Sequence, residues 1–324
     1  MRAVSFSFEN YRNLQPGTLL PDAGVNVIAG DNAQGKTNLL EGLWLFTGGR
    51  SFRGAKDGEL VRMGEDSHGA ASLSLTFWAG GREQQGEIHL QGGRRRASLN
   101  GVSRRRASAM VGAFCAVVFS PDHLSLVKDG PTERRNFLDG AICQLRPAYA
   151  SLLNRYQRTL QQRNALLKDI PRHRELLDTL EIWDDRLAGF GGAIMEERLR
   201  YVELLRPAAK AIYGGISRER EVLELEYQMT AAPKGREPGS CREALSRALS
   251  QKRRDDLGAG FTTAGPHRDD LLLTVNGAAA RSFGSQGQQR SVVLSLKLAE
   301  AAVLEKAVGE PPVVLLDDVM SVLD

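Results

Sequence analysis

The segment VNVIAGDNAQGKTNLLEGLWLF (25–46) joins an apolar run, a glycine-rich turn and a run of helix-forming residues. The apolar run 25–29 is typical of a strand buried on both faces, and the residues after the turn have helical spacing. Between them, residues 30–37 read Gly-x-x-x-x-Gly-Lys-Thr, which is the phosphate-binding loop pattern in the strand–turn–helix setting that it needs. The segment therefore predicts an α/β fold built around a nucleoside triphosphate site.

Each key position of this loop has a chemical purpose. Gly30 and Gly35 permit backbone conformations in which successive N–H groups point at phosphate oxygens. Lys36 supplies a compact positive charge to the terminal phosphates, Thr37 supplies a hydroxyl ligand to Mg²⁺, and the helix N-terminus adds a positive dipole end. We predict that ATP and Mg²⁺ are the cofactors. The predicted ATP-binding residues of the loop are Gly30, Asp31, Asn32, Ala33, Gln34, Gly35, Lys36 and Thr37.

The composition is that of a soluble, globular and mildly basic protein. The chain has 324 residues, a net charge of +4 and 42% apolar residues, which suits one large domain or two. No apolar run is long enough to span a membrane, and Glu9 and Arg12 interrupt any signal-peptide pattern. The three cysteines are isolated, so we expect a reducing cytoplasm and no disulfide framework. The basic balance favours a polyanionic partner.

Strand-like and helix-like stretches divide the chain. AVSFSFE (3–9) and the short runs from about 72 to 119 have strand periodicity, whereas 121–213 are rich in helix-forming residues. Helix breaks are expected at Pro131, Pro147, Pro171 and the pair Gly191-Gly192. We predict an ATPase lobe formed by 1–120 and 258–324, and a mostly helical lobe formed by 121–257.

The run VVLLDD (313–318) ends an apolar strand with two carboxylates. Side by side, Asp317 and Asp318 would repel each other at high cost unless a cation compensates them. Mg²⁺ is the cation that the phosphate-binding loop calls for, so we predict that Asp317 and Thr37 hold it. Asp318 would orient or deprotonate the attacking water, which makes Asp318 and Lys36 the predicted catalytic residues. A solvated Asp-Asp turn is the alternative interpretation.

A second anion site is predicted where SFGSQGQQRSVVLSLKLAE (282–300) opens a helix. There Ser285, Gln286, Gly287 and Gln288 present free N–H groups and a glycine. If the two sites lie on opposite sides of one lobe, a single chain cannot close both around one nucleotide. The geometry then points to a dimer in which each chain's signature caps the nucleotide of its partner. The alternative is an ordinary Ser/Gly helix cap.

These motifs, in this order, resemble the head of an ABC-type ATPase of the SMC/Rad50-like superfamily, and within it the RecF-like proteins. The resemblance covers essentially the whole chain. It rests on ENYRNL (9–14), GDNAQGKTNLLEG (30–42), GRSFR (49–53), FSPDHLSLVKDGPTERRNFLD (119–139), TAGPHRDDL (263–271), SQGQQR (285–290) and LLDDVMSVLD (315–324).

The resemblance implies a mixed sheet plus antiparallel strands with an inserted, mostly helical lobe. It further implies DNA binding, at a duplex or a junction of single- and double-stranded DNA, an ATP-dependent homodimer, and slow ATP hydrolysis. RecR and RecO are the implied partners, RecA loading during recombinational repair and replication is the implied task, and the SOS response is the implied setting.

Individual residues follow by position in the family's motifs. Arg12 matches an arginine that approaches the nucleotide, and Ser321 and Asp324 match the D-loop at the dimer interface. FSPDHL stands in the place of the Q-loop but contains no glutamine, and we assign no catalytic role to His123 or His267. Heads of this class are expected to continue beyond the D-loop with a helix, a core strand and a switch histidine. We therefore expect a longer natural chain, and poor solubility and activity for 1–324 alone.

The stretch GGRRRASLNGVSRRRAS (92–108) carries six arginines and no acidic residue. Asn100-Gly101 predicts a two-residue hairpin turn, which sets like charges opposite each other at a cost that a phosphate backbone would relieve. Few aromatic residues accompany the arginines, so contact with duplex backbone is favoured over base stacking. A solvated, charge-protected sheet edge is the alternative. The predicted DNA-binding residues are Arg94, Arg95, Arg96, Arg104, Arg105 and Arg106.

Two other classes of protein share some of these motifs. An SMC/Rad50-type head that tethers DNA needs a long coiled coil, and the helical stretch here is short and interrupted by prolines. An ABC transporter subunit needs an LSGGQ-like signature and usually a true Q-loop, and it needs no basic hairpin. Both fit less well than a DNA-binding recombination ATPase.

Overall fold

The structure, a computed structural model, describes residues 1–64, 69–104, 110–232 and 239–318. Arg105, Arg106, Ser321 and Asp324 lie outside these ranges, as does the side chain of Arg104. The strands are β1 (Arg2–Glu9), β2 (Gly17–Leu19), β3 (Ala70–Ala79), β4 (Arg82–Gln91), β5 (Arg94–Leu99), β6 (Val102–Arg104), β7 (Ala116–Phe119), β8 (Leu223–Gln228), β9 (Asp270–Val275), β10 (Ala278–Ala279) and β11 (Val313–Leu316). The helices are α1 (Lys36–Trp44), α2 (Ser125–Lys128), α3 (Pro131–Leu145), α4 (Pro147–Asp169), α5 (Leu180–Ser217), α6 (Ser240–Gln251), α7 (Arg253–Ala259), α8 (Ala280–Phe283) and α9 (Gln286–Val308).

The chain forms two compact units. The first comprises the described residues of Met1–Leu124, Cys143–Pro147 and the chain from Val293 onward, and the second comprises those of Ser125–Ile142 and Ala148–Val292. The predicted ATPase lobe differs from the first unit at 258–292, because β9 pairs with β8 and so belongs with the second unit. As functional domains, the predicted lobes stay a prediction. None of the helices in the described ranges is both long and apolar enough to cross a bilayer.

A six-stranded antiparallel sheet in the order β2-β1-β3-β4-β5-β6 carries the core of the first unit. Alternation along β3 turns Leu73, Leu75 and Phe77 inward, where each is at most 1% exposed. The apolar side of α1, including Leu39 and Leu43, packs into the same cluster. The opposite face of the sheet is left to polar side chains, as the alternating pattern predicts.

Strand β7 pairs in parallel with β11 and is buried on both faces. One face of β7 faces the main cluster through Val118, and the other packs through Val117 and Phe119 against Leu304 of α9. Residues at the carboxyl ends of β7 and β11 therefore emerge side by side, at the edge of the sheet where ligands bind in parallel α/β folds.

The predicted strand at 25–29 is wrong. No regular structure forms there, and Val25 and Val27 are 92% and 86% exposed. A strand needs a ladder partner, and in the described ranges β11 pairs only with β7. An apolar run without a partner has the propensity for a strand but no hydrogen bonds with which to form one.

The second unit combines helices with the three-stranded sheet β10-β9-β8. The predicted boundaries at Pro131 and Pro147 are confirmed, since these residues open α3 and α4. The predicted break at Gly191-Gly192 is wrong, because α5 runs through both. A Cβ at Gly191 would lie 2.5 Å from Leu245 Cδ2, and one at Gly192 would lie 2.6 Å from the backbone of Arg242. These glycines therefore permit the close approach of α6 and do not interrupt the helix.

Candidate nucleotide-binding site

The loop 30–37 takes the conformation that its glycines allow. Gly35 has φ = 95°, and a Cβ there would lie 2.5 Å from Leu14 Cδ2 and 2.8 Å from Asn13 Oδ1. Both the backbone and the space around it therefore require glycine. Gly35 also caps α1 without a side-chain hydrogen bond, so the first N–H groups of the helix stay available to an anion.

Lys36 lies across this loop. Its ammonium group donates hydrogen bonds to the carbonyl oxygens of Gly30 at 2.6 Å and Asp31 at 2.8 Å. These bonds hold the charge over the turn, where terminal phosphates would sit in a loop of this kind. Since both acceptors are neutral carbonyls, the ammonium charge is not cancelled by an ion pair there and remains available to a polyanion.

The strand end of β11 meets the loop at Asp317. Thr37 Oγ1 donates to Asp317 Oδ1 at 2.7 Å, and the Asp317 N–H donates to the carbonyl of Phe119 at 2.8 Å. A hydroxyl and a carboxylate, brought together from positions 37 and 317, are hard oxygen donors of the kind that Mg²⁺ prefers. Asp318 follows in a left-handed conformation with φ = 47°. Its role toward water stays a prediction.

Behind the loop lies Glu41, a carboxylate in α1 with a fully buried side chain. The family-like segments 9–14 and 49–53 both donate hydrogen bonds to it. Arg12 binds it with Nε and NH2 at 2.9 and 3.1 Å, Tyr11 donates its hydroxyl at 3.2 Å, and Ser51 donates its own. Burial and the neighbouring Glu41 raise the pKa of Tyr11 well above its usual range. Arg12 therefore braces α1 in this structure, and its approach to a nucleotide stays a prediction.

A chain of side-chain hydrogen bonds also holds the loop 30–37 in place. Asn13 Nδ2 donates to the Ala33 carbonyl at 2.8 Å, Asn38 Nδ2 donates to Asn13 Oδ1 at 2.7 Å, and Arg53 NH1 donates to Asn38 Oδ1 at 3.0 Å. Ala33 needs this support because its φ is 64°, a costly value for a residue with a side chain. Asn13, Asn38 and Glu41 each lie inside a family-like segment, but no local pattern distinguishes them from the residues around them.

The signature residues form a reciprocal helix cap in the second unit. The Gln288 N–H donates to Ser285 Oγ at 3.2 Å, and the Ser285 N–H donates to Gln288 Oε1 at 2.8 Å. This cap leaves the first-turn N–H groups of Gln286 and Gly287 without a side-chain partner in the described part of the chain. A Cβ at Gly287 would meet none of the described residues within 4 Å, so packing against that part of the chain does not require this glycine.

Two of the family-like segments, RRNFLD (134–139) and GPHRDD (265–270), contact each other within the second unit. Arg134 pairs with Asp270 at 2.7 and 2.9 Å, and Arg135 donates to the Asp269 carbonyl at 2.8 Å. Asp139 in turn holds Arg198 of α5 through two bonds of 2.9 Å. Both segments therefore belong to an ionic scaffold within the second unit.

Both loop histidines are held neutral. His123 Nδ1 accepts the Ser120 N–H at 3.0 Å, and burial, with a contribution from the Lys297 charge, lowers its pKa to about 3. His267 lies between the Tyr156 hydroxyl and the Thr262 carbonyl, and burial lowers its pKa to about 4. Because the carbonyl can only accept, Nε2 of His267 carries the proton and Nδ1 accepts from the tyrosine. These bonds give both side chains structural roles.

The basic hairpin forms with the predicted turn and register. Asn100 and Gly101 have φ of 52° and 74°, as a type I′ turn requires, and Ala97 pairs with Arg104. Arg95 needs a correction, because its side chain is only 5% exposed and pairs with Asp57 and the Gly49 carbonyl. Alternation along β5 turns it to the buried face, so a phosphate contact by Arg95 is wrong.

Arg94 and Arg96 of the hairpin are exposed. Arg94 and Arg96 lie on the open face of the sheet, opposite Gln91 and His89 in the β4–β5 register. With Glu9 farther along the same face, they line a shallow depression. Two arginines and a histidine therefore lie together at one end of the open face of the sheet.

Comparison with known proteins covers the whole chain. Residues 5–171 match the AAA domain family. The chain is 40% identical over 321 residues to the "DNA replication and repair protein RecF" of Agathobacter rectalis, which covers 99% of this chain and 85% of that protein. It is 42% identical over 318 residues to the protein of the same name from Heliobacterium modesticaldum, which covers 98% of this chain and 84% of that protein.

The fold of this chain is also similar to that of a solved structure. The protein titled "Structure of the recombination mediator protein RecF-ATP in RecFOR pathway" superposes with a TM-score of 0.92 at 38% identity, covering 99% of this chain and 86% of that chain. The predicted fold class, an α/β P-loop ATPase head, is confirmed by this match.

Proposed function

This chain belongs to the RecF family, and on that premise we propose that it is an ATP-dependent DNA-binding protein of recombinational repair and replication. In this proposal it binds duplex or gapped DNA as an ATP-induced dimer, hydrolyses ATP slowly and aids RecA loading together with RecR and RecO. The observation that carries the proposal is the contact of Thr37 with Asp317 beside Lys36, found in a chain 40% identical to a RecF over 321 residues.

The ATP site would be built from residues that already stand together. The loop N–H groups would bind the phosphates, and Lys36 would neutralise the terminal ones. Thr37 and Asp317 would hold Mg²⁺, which supplies charge neutralisation and Lewis-acid polarisation at the phosphates. Asp318 would orient the attacking water. Because Arg12 is committed to Glu41, its contribution would be to keep α1 in place beneath the loop.

The second half of the site would come from another copy of the chain. The uncapped N–H groups of Gln286 and Gly287 suit an anion, and the glycine leaves space for a close approach. A glycine in a helix costs up to about 1 kcal/mol relative to alanine, and no contact with the described residues requires it here. A partner's terminal phosphate is the ligand that would explain both features.

DNA would contact the open face of the six-stranded sheet at its basic end. We expect the double variant Arg94→Ala/Arg96→Ala to bind duplex DNA more weakly and with less dependence on salt, since two phosphate contacts and their released counterions would be lost. The slope of log affinity against log salt should fall in magnitude by about 1.8. Fluorescence anisotropy with a duplex at several salt concentrations measures this in protein expressed from its full coding sequence.

The matched control is Arg2→Ala/Arg82→Ala, which removes two exposed arginines from β1 and β4 of the same sheet. This control carries the same change in net charge and should leave the slope close to that of the wild type. An unchanged slope in the Arg94/Arg96 variant, or an equal loss in the control, would refute the assignment of this face.

A further inference from the structure

The side-chain amide of Gln288 is held at both of its ends. Its Oε1 accepts the Ser285 N–H at 2.8 Å, which closes the signature cap. Its Nε2 donates to Glu221 Oε1 at 2.6 Å, across 67 residues of sequence. Glu221 is thus a direct neighbour of the signature, although no motif in the sequence includes it.

A carboxylate fixes which way this amide points. Ionised Glu221 can only accept, so Gln288 must turn its NH₂ group toward it, and the amide oxygen must then face the Ser285 N–H. A neutral or absent group at 221 would remove this constraint. The Gln288 amide could then rotate, and the Ser285 N–H would lose its acceptor.

Glu221 is itself held rigidly by the end of α5. Its Oε2 accepts the hydroxyl of Tyr213 at 2.6 Å, and Tyr213 is fully buried. Burial, followed by the bond to Glu221, raises the pKa of that tyrosine well above its usual range, so it stays a donor. The signature therefore connects through one carboxylate to the helix core of the second unit.

The turn that carries Glu221 does not need the bond to Gln288 for its own shape. Ser217 Oγ lies 3.4 Å from the Glu221 carbonyl, and Arg218 and Glu219 take left-handed conformations that end α5. On the other side, Val222 is fixed by two bonds to Asn276 of 2.8 and 2.9 Å. The bond to Gln288 is an additional connection whose direct effect is on the signature.

We propose that Glu221 is a positioning residue for the signature. By fixing the Gln288 amide it holds the Ser285–Gln288 cap in one geometry, and so keeps the N–H groups of Gln286 and Gly287 aimed at the partner's terminal phosphate. This inference rests on the proposed function, in which a second copy supplies the nucleotide. In this proposal the connection between α5 and β8, which carries Glu221, helps to form the site that binds the partner's nucleotide.

The test uses Glu221→Ala, Glu221→Gln and a control, Glu224→Ala, in protein expressed from its full coding sequence. Glu224 is a nearby carboxylate whose partner, Lys210, is a surface lysine far from the signature in sequence. Three quantities are measured: ATP affinity by calorimetry, ATP-dependent self-association by sedimentation velocity, and exchange of the Ser285 amide hydrogen without nucleotide.

We expect Glu221→Ala to weaken ATP-dependent association about tenfold and to speed Ser285 exchange about tenfold, since one charge-assisted bond is lost. ATP affinity, measured at protein concentrations too low for association, should stay at the wild-type value, which also shows that the protein is folded. Glu221→Gln retains an acceptor for Tyr213, but its single amide oxygen cannot also fix the Gln288 amide, so it too should weaken association and speed Ser285 exchange. The control should match the wild type.

Wild-type association and Ser285 exchange in both Glu221 variants would overturn the inference. If the wild type itself does not associate with ATP, the proposed dimer fails, and the exchange measurement alone decides the matter. Faster exchange in Glu221→Ala would then support the positioning of the cap, and unchanged exchange would refute it.

Discussion

Replacing Lys36 with methionine is expected to weaken ATP binding at least about a hundredfold, below detection in a calorimetric titration. Among the described residues, the Lys36 ammonium donates to the Gly30 and Asp31 carbonyls alone, at 2.6 and 2.8 Å, so its charge can serve a polyanion. Methionine keeps the length of the side chain but removes the charge and all three donors. Charge-assisted bonds to phosphate contribute about 1.5–3 kcal/mol each, and two of them account for the loss.

The matched control is Lys306→Met, which makes the same substitution at an exposed lysine near the end of α9. It changes net charge equally and should leave ATP affinity unchanged. Both variants should unfold at the wild-type temperature, because neither lysine is buried. Retained affinity in Lys36→Met would mean that the nucleotide, if bound, is not bound by this loop.

Replacing Arg163 with methionine is expected to lower the free energy of unfolding of the second unit by about 3–5 kcal/mol. The Arg163 side chain is fully buried and binds Asp184 Oδ1 at 2.6 Å and Asp256 Oδ2 at 2.7 Å. It also donates to Thr262 at 2.8 Å. Methionine fills much of the volume but leaves the fully buried Asp256 without its cation, while Asp184 keeps Arg253 at 3.2 Å. The cost is therefore mainly that of one uncompensated buried carboxylate. Urea unfolding followed by circular dichroism measures it.

An exposed ion pair in the same unit provides the comparison. Arg200 pairs with Glu197 at 2.7 Å and is 53% exposed, so Arg200→Met should cost no more than about 1 kcal/mol. Equal losses in the two variants would show that burial does not set the value of the Arg163 cluster. A loss of this size at Arg163 would identify the α4–α5–α7 contact as a strong ionic support of the unit.

The sequence predicted the parts of the site that depend on local pattern and on motif spacing. The loop 30–37, the helix that follows it and the meeting of Thr37 with Asp317 were all deducible, because each group's chemistry requires the other. The hairpin register at Asn100-Gly101 was deducible for a similar reason, since a type I′ turn fixes the pairing of its strands.

What could not be predicted depends on contacts between distant segments. The apolar run 25–29 has strand propensity, but propensity does not supply a ladder partner. Gly191 and Gly192 read as a helix break because only the position of α6 shows why a side chain would clash there. Arg95 is an arginine between two arginines, and the sequence does not distinguish them. Only the fold shows that its side chain lies on the buried face of the sheet, whereas those of Arg94 and Arg96 lie on the open face.

The buried hub at Glu41 was missed for the same reason. Its donors come from positions 11, 12 and 51, and no single stretch contains enough of them to form a pattern. Glu221 is a stronger case, since its connection to the signature crosses 67 residues.

The central claim is that two copies of the chain together build each ATP site. The most direct measurement is the rate of ATP hydrolysis against protein concentration, with Mg²⁺ and duplex DNA, in protein expressed from its full coding sequence. We expect the rate to rise with the square of protein concentration at low concentration, and duplex DNA to increase it. A rate strictly proportional to protein concentration throughout, under conditions where the nucleotide is bound, would contradict it.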